Sequence, residues 1–166
     1  MLSTNMEFYQ EGTYLYLAGG YGYSTTSLDH ITYPNLSAVN VPDVINAVVN
    51  GSSFTSSFRQ ITDTMFAVTG GALNKIGNTF YLSGGQKFMG RYNPMGSTHG
   101  PGFMQEYTNS IRRFTLSDNG VTFTVNHLPA IVDAVNLHRR DYNVVPQIMP
   151  SGNEGLTAFS GVFQKN

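Results

Sequence analysis

Apolar and aromatic residues along this chain fall into runs of about five, broken by Gly, Asn, Ser and Thr, which is the spacing of strands. Two runs nearly repeat, Tyr16-Leu17-Ala18-Gly19-Gly20 and Tyr81-Leu82-Ser83-Gly84-Gly85, 65 residues apart. Each has a turn glycine, Gly12 or Gly77, eight residues before its last Gly. A weaker third copy, Thr157-Ala158-Phe159-Ser160-Gly161, follows 76 residues after the second, with Asn153 at the turn position. A hairpin that ends in a double glycine and recurs at a long period marks an internal repeat of units that bury their apolar faces against one another.

The first unit predicts strands at 6–9 and 14–18 around a turn at 10–13, then a polar aromatic loop over 21–30. A further strand is expected near 31–41, with Pro34 at a bulge or an edge. Residues 42–49 read as a short helix, with Pro42 near the start and Asn50-Gly51 at the end, or as an apolar strand. Residues 51–60 read as a Ser-rich connection. The second unit predicts a strand over 64–75, a turn at 76–78 and a return over 79–83. The Gly- and Pro-rich stretch 86–106 reads as a long irregular loop, a kind usually functional or disordered. Strands at 107–116 and 121–128 flank the turn Asp118-Asn119-Gly120, with 129–138 as a connection. The third unit contributes strands at 139–149 and 156–160.

The double glycine after an apolar strand, with Tyr107 and Phe114 on the third strand of the unit, resembles the kelch repeat of β-propellers. No Trp closes the repeat, and each unit exceeds the roughly 50 residues usual for kelch. Val68-Thr69-Gly70-Gly71, Gly90-Arg91-Tyr92-Asn93 and Leu137-His138-Arg139-Arg140 resemble segments of long-loop kelch-like (galactose-oxidase-type propeller) proteins secreted by bacteria. The resemblance implies an all-β, partial and open kelch-type β-propeller built from four-stranded antiparallel blades. Blade 1 would span about 1–61, blade 2 about 62–137 and a half blade 138–166, in a single partial domain. With Met1 so close to the first strand, the chain reads as a fragment of a longer protein. The resemblance implies a secreted or periplasmic parent, although residues 1–5 lack the charged and apolar regions of a signal peptide.

Composition narrows the chemistry. Charged residues are 11% of the chain against about 25% in typical domains, so the surface is built from neutral polar groups that suit sugars. A net charge of −1, with basic residues clustered only at Arg112-Arg113 and Arg139-Arg140, argues against nucleic acid. No apolar run approaches the roughly 20 residues of a membrane span. Without cysteine there is no thiolate metal site and no Cys nucleophile.

In a propeller, the loops between second and third strands and between blades open on one face. On that assignment Tyr21, Tyr23, Asp29, His30, Arg91, Tyr92, His99, His138 and Arg139 are the candidate ligand-binding residues. The bland alternative is that these aromatics and histidines pack the blade top. Arg139 and Arg140 suit bidentate capture of a carboxylate or phosphate, or an interblade ion pair with Asp141 or Glu106. Asp118-Asn119-Gly120 lacks the alternating ligands of a calcium loop, no G-x-S-x-G elbow occurs, and the ten acids form no obvious catalytic pair. No cofactor is expected, calcium being the one ion held open.

The expected function is a binding module that recognises a protein or glycan through its long-loop face and self-associates through open blade edges. The alternative is a propeller hydrolase, lactonase-type or glycan-active, using a His/Asp/Arg cluster with or without a metal ion. Convergence of Asp29, His30, His99 and His138 separates the two.

Overall fold

The computed structural model describes residues 3–92 and 102–164. Among them the chain is all-β apart from one helix and two single 3-10 turns, and every strand pairing is antiparallel. The first part runs β1 (Glu7–Glu11), β2 (Tyr14–Ala18), β3 (Tyr21–Ser24), β4 (Asp29–Thr32), β5 (Asn35–Asn40) and β6 (Phe58–Thr62). β1-β2-β5-β6 form one four-stranded sheet, and β3/β4 is a hairpin inserted between its second and third strands. The second part repeats this plan with β7 (Ala72–Ile76), β8 (Thr79–Ser83), β9 (Gln86–Gly90), β10 (Phe103–Tyr107), β11 (Ser110–Asp118) and β12 (Phe123–Val132). Its sheet is β7-β8-β11-β12, with β9/β10 as the inserted hairpin. β13 (Arg140–Ile148) and β14 (Glu154–Val162) pair only with each other.

Both stretches expected to be irregular, 21–30 and 86–106, thus contribute to hairpins, and Pro34 separates β4 from β5. The segment with two readings is a helix, α1 (Val41–Val49), because the Asn40 side chain caps the Asp43 amide at 3.3 Å and Pro42 suits the first turn. The Ser-rich connection ends in an unforeseen strand, β6, so α1 and residues 51–57 lie between third and fourth strands and do not link the sheets. The strand expected from residue 64 starts at Ala72 instead. Asp63 Oδ1 accepts from the Met65 amide at 2.9 Å and winds Thr64–Phe66 into a 3-10 turn.

The repeat is written in hydrogen bonds as well as letters. Gly19 N donates to Asn35 O at 2.9 Å and Gly84 N to Ser110 O at 3.0 Å. Gly20 N reaches Val68 O at 2.8 Å, as Gly85 N reaches Arg139 O at 3.0 Å. Tyr33 N to Gly20 O (2.8 Å) matches Thr108 N to Gly85 O (3.1 Å). The double glycines take φ of +64° and +87°, and +58° and +77°, which side chains resist. Ser160-Gly161 adopts the same pair, +64° and +86°, so the degraded third copy keeps the backbone turn.

One core lies where the two four-stranded sheets meet. Phe66, Phe80 and Phe114 are fully buried there, with Tyr16, Leu36, Leu82 and Val68. Phe80 and Phe114 stack at 5.1 Å, and Phe66 meets Phe114 edge-on at 5.2 Å. The far end is closed by Arg59, whose guanidinium grips Asp118 at 2.5 and 3.0 Å while Tyr16 Oη donates to the same carboxylate at 3.0 Å.

Candidate functional site

The other end of this junction opens into a cleft of about 470 Å³ between the two inserted hairpins. Ser27, Ile31 and Thr32 wall one side; Lys87, Met89, Glu106 and Tyr107 wall the other. Thr64, Ala67 and Arg112 line it from the sheets and their connection. The hairpins are locked together beside the cleft by Thr32, whose hydroxyl donates to Phe88 O at 2.8 Å and accepts from Phe88 N at 2.7 Å. An aromatic seam continues the joint. Tyr21 Oη donates to Gly90 O at 2.5 Å, and its ring meets Phe88 at 5.2 Å.

Arg112 reaches the cleft by strand alternation. It shares a face of β11 with buried Ser110 and Phe114, so it points into the junction between the sheets. Opposite it the ladder slips, with Ile111 paired to Ile131 but Arg113 to Leu128, so β12 bulges at Pro129-Ala130. Its guanidinium donates to the Met65 carbonyl. Burial pulls the Arg112 pKa down, opposed by the charges of Glu7 and Glu106. Arg112 belongs to no ion pair within 4.0 Å among the described residues.

Glu7, facing the same junction from β1, is 3% exposed. Its Oε1 accepts from the Gly71 amide at 2.7 Å, while Oε2 is buried with no partner. Burial raises its carboxyl to a pKa of about 8, against the Gly71 amide, its own amide and the Arg112 charge. That shift favours the protonated form near neutral pH and weakens the compensation Glu7 gives Arg112.

The residues singled out from sequence divide into four groups. Tyr21, Tyr23 and His30 do come together: His30 stacks on Tyr21 at 5.7 Å and meets Tyr23 edge-on at 5.4 Å. Tyr92 joins the seam through Phe103 at 5.6 Å, while Asp29 caps the His30 amide at 2.7 Å and Arg91 is exposed nearby. Burial raises the Tyr21 hydroxyl above its ordinary value. His138 is elsewhere, stacked on Tyr107 at 4.1 Å with Nδ1 2.8 Å from Asn109 Oδ1. Arg139 turns into the third hairpin, where Nη1 donates to Ser160 O at 3.1 Å, and Arg140 pairs with its neighbour Asp141 at 3.3 Å rather than across the sheets. His99 lies outside the described residues.

Among the described residues no three His, Asp or Glu side chains group closely enough to hold a metal ion, and no helix is long and apolar enough to cross a membrane. Sequence reading passed over Thr32, Lys87 and Arg112 as cleft residues. The available signal was the two-residue step from Phe114 to Arg112, which puts a charge on a core face. No protein-family model matches the chain, and no curated protein matches it in sequence.

Proposed function

We propose that the chain is a portion of a kelch-type β-propeller that acts as a binding module, recognising a protein or glycan through the face that carries the two hairpins. The observation carrying this reading is the cleft of about 470 Å³, walled by Ser, Thr and Tyr hydroxyls beside the aliphatic Ile31 and Met89. Two matching four-stranded sheets, with the same bonds around each double glycine, support the propeller part. So does the contact of first strands, where Glu7 takes the Gly71 amide and the Asp141 amide donates to Gly70 O at 2.7 Å. The parent protein is read as secreted or periplasmic. The unpaired edge of β14 is read as a self-association edge, tested by the native mass in light scattering. A propeller hydrolase requires Asp29, His30, His99 and His138 to act as one group; His99 lies outside the described residues, and His30 and His138 engage separate neighbours.

The test is a panel of immobilised neutral and acidic oligosaccharides and peptides, probed with the wild-type chain and with Thr64→Trp. Thr64 is exposed at the cleft and outside the core. Binding that Thr64→Trp abolishes is the expected result. Binding to nothing on the panel, or equal binding by the variant, overturns the proposal.

A further inference from the structure

We infer that the cleft between the hairpins takes a carboxylate, that of an acidic sugar, with the Arg112 guanidinium as its receptor. The inference rests on the binding reading above and narrows it to a ligand class. A guanidinium is always charged, and a charge withdrawn from water without a partner is costly. Arg112 is half-buried, donates to one backbone carbonyl, and has no carboxylate within 4.0 Å among the described residues. None of its nitrogens is both buried and unbonded, and Arg112 lines the cleft.

The surroundings agree on sign and shape. The buried acid Glu7 is itself tied to the Gly71 amide and is outside the cleft's lining. Lys87 and Glu106 are cross-strand partners of opposite sign at the exposed mouth, while Arg112 is the cation set deeper in the lining. Planar N–H pairs of a guanidinium match the two oxygens of a carboxylate. Hydroxyls of Ser27, Thr64 and Tyr107 stand around the rest of the cleft with Ile31, Pro34 and Met89, a mixture suited to a sugar ring's polar edge and apolar face. The β12 bulge opposite Arg112 is the sort of irregularity that re-aims a side chain at a site.

The experiment titrates the wild-type chain with trigalacturonic acid, its methyl ester and galactotriose, followed by NMR shifts and calorimetry. The acid is expected to bind at least about tenfold tighter than the ester, the value of a charge-assisted bond. Arg112→Gln is expected to erase that preference, and rising salt to weaken only the acid. Should Arg112→Gln fail to fold, Lys87→Gln at the exposed mouth serves instead, with an expected loss of about twofold to threefold for the acid. Equal binding of acid and neutral sugars in the cleft overturns the carboxylate assignment and leaves the binding module standing. Binding of neither, together with a blank panel, overturns both.

Discussion

The chain builds the same kind of junction twice, and only one is sealed. Between the two four-stranded sheets, Phe66, Phe80 and Phe114 lose all contact with water. Between the second sheet and β13/β14, the facing residues Tyr81, Ile111, Ile131, Tyr142, Val144 and Leu156 enclose an apolar cleft of about 180 Å³, and none of these six is buried. The double-glycine turn is present on both sides, so the turn does not account for the difference. What differs is the pair of outer strands. Arg59 on β6 and Leu36 and Ala38 on β5 close the first junction, whereas among the described residues β14 has no further strand beside it. Burial in this fold is supplied by the four-stranded sheets, and the two-stranded one leaves the shared face wet.

Paired truncations test this most directly. Phe114→Ala, in the sealed junction, is expected to cost about 3–5 kcal/mol, much of the stability of a domain this size. Leu156→Ala, in the open junction, is expected to cost about 1 kcal/mol or less, because its site is already hydrated. Urea unfolding measures both. Similar losses would mean that the third hairpin is as tightly packed as the first two sheets.

The glycines sharpen the contrast. A Cβ at Gly19 would sit 2.0 Å from Val68 O and 2.7 Å from Phe66 O, both fixed backbone atoms of the sealed junction. A Cβ at Gly84 would sit 2.1 Å from Tyr142 Cε2, the ring of a half-buried side chain that can swing aside. Both substitutions carry left-handed backbone strain of roughly 1–2 kcal/mol. Gly19→Ala is therefore expected to lose at least about 3 kcal/mol and Gly84→Ala about half as much, read from thermal midpoints. The reverse order would mean that the Tyr142 ring is held as rigidly as the backbone.

Glu7 gives the sealed junction a pH signature. Its folded pKa of about 8 lies above the ordinary carboxyl value of 4.5, so between these values the native state holds a proton that the unfolded chain has released. That contribution is favourable at low pH, declines as pH rises from 4.5 and levels off past about 8. Glu7→Gln keeps an acceptor for the Gly71 amide and removes the titration. It is expected to flatten the decline and to stabilise the protein at pH 9 by on the order of 2 kcal/mol. A stability profile unchanged by the substitution would mean that Glu7 is ionised and paired in solution.

These features differ in how plainly the sequence displays them. The doubled Tyr-Leu-Ala/Ser-Gly-Gly run exposes the repeat because its geometry needs glycine at two successive left-handed positions. The inserted hairpins were hidden because Gly22, Gly90 and the polar residues around Asp29 resemble loop chemistry. Their pairing depends on aromatic contacts such as Tyr21 with Phe88, across 67 residues, which no local pattern records. Arg112 was hidden for a related reason. Beside Arg113 it reads as a short basic pair, but alternation sends the two to opposite faces of β11, one toward the cleft and one to the Pro129 carbonyl at 2.7 Å. Tyr21 and His30 were visible as residues near one another in sequence, and their rings stack at 5.7 Å across the hairpin.

The smallest effect belongs to the Arg59–Asp118 pair at the far end of the sealed junction. Desolvation pushes the Asp118 carboxyl up, but the bonds from Arg59, the Gly120 amide and Tyr16 outweigh it and hold the pKa below the ordinary carboxylate range. A depressed acid adds stability above its unfolded value near 4, and that stability is lost as pH falls through the lower folded value. Asp118→Asn is expected to cost about 1 kcal/mol at neutral pH, a modest figure because Asn keeps an oxygen acceptor for the same donors. It should also remove part of the acid-side decline below about pH 4. Among the described residues the third hairpin has no counterpart of this clasp: Arg140 pairs with Asp141 in the same strand. Arg140→Ala is therefore expected to cost about 0.5 kcal/mol or less in urea unfolding at neutral pH. If it costs as much as Asp118→Asn, the two junctions are held by the same kind of contact, and the strands beside them are not what separates them.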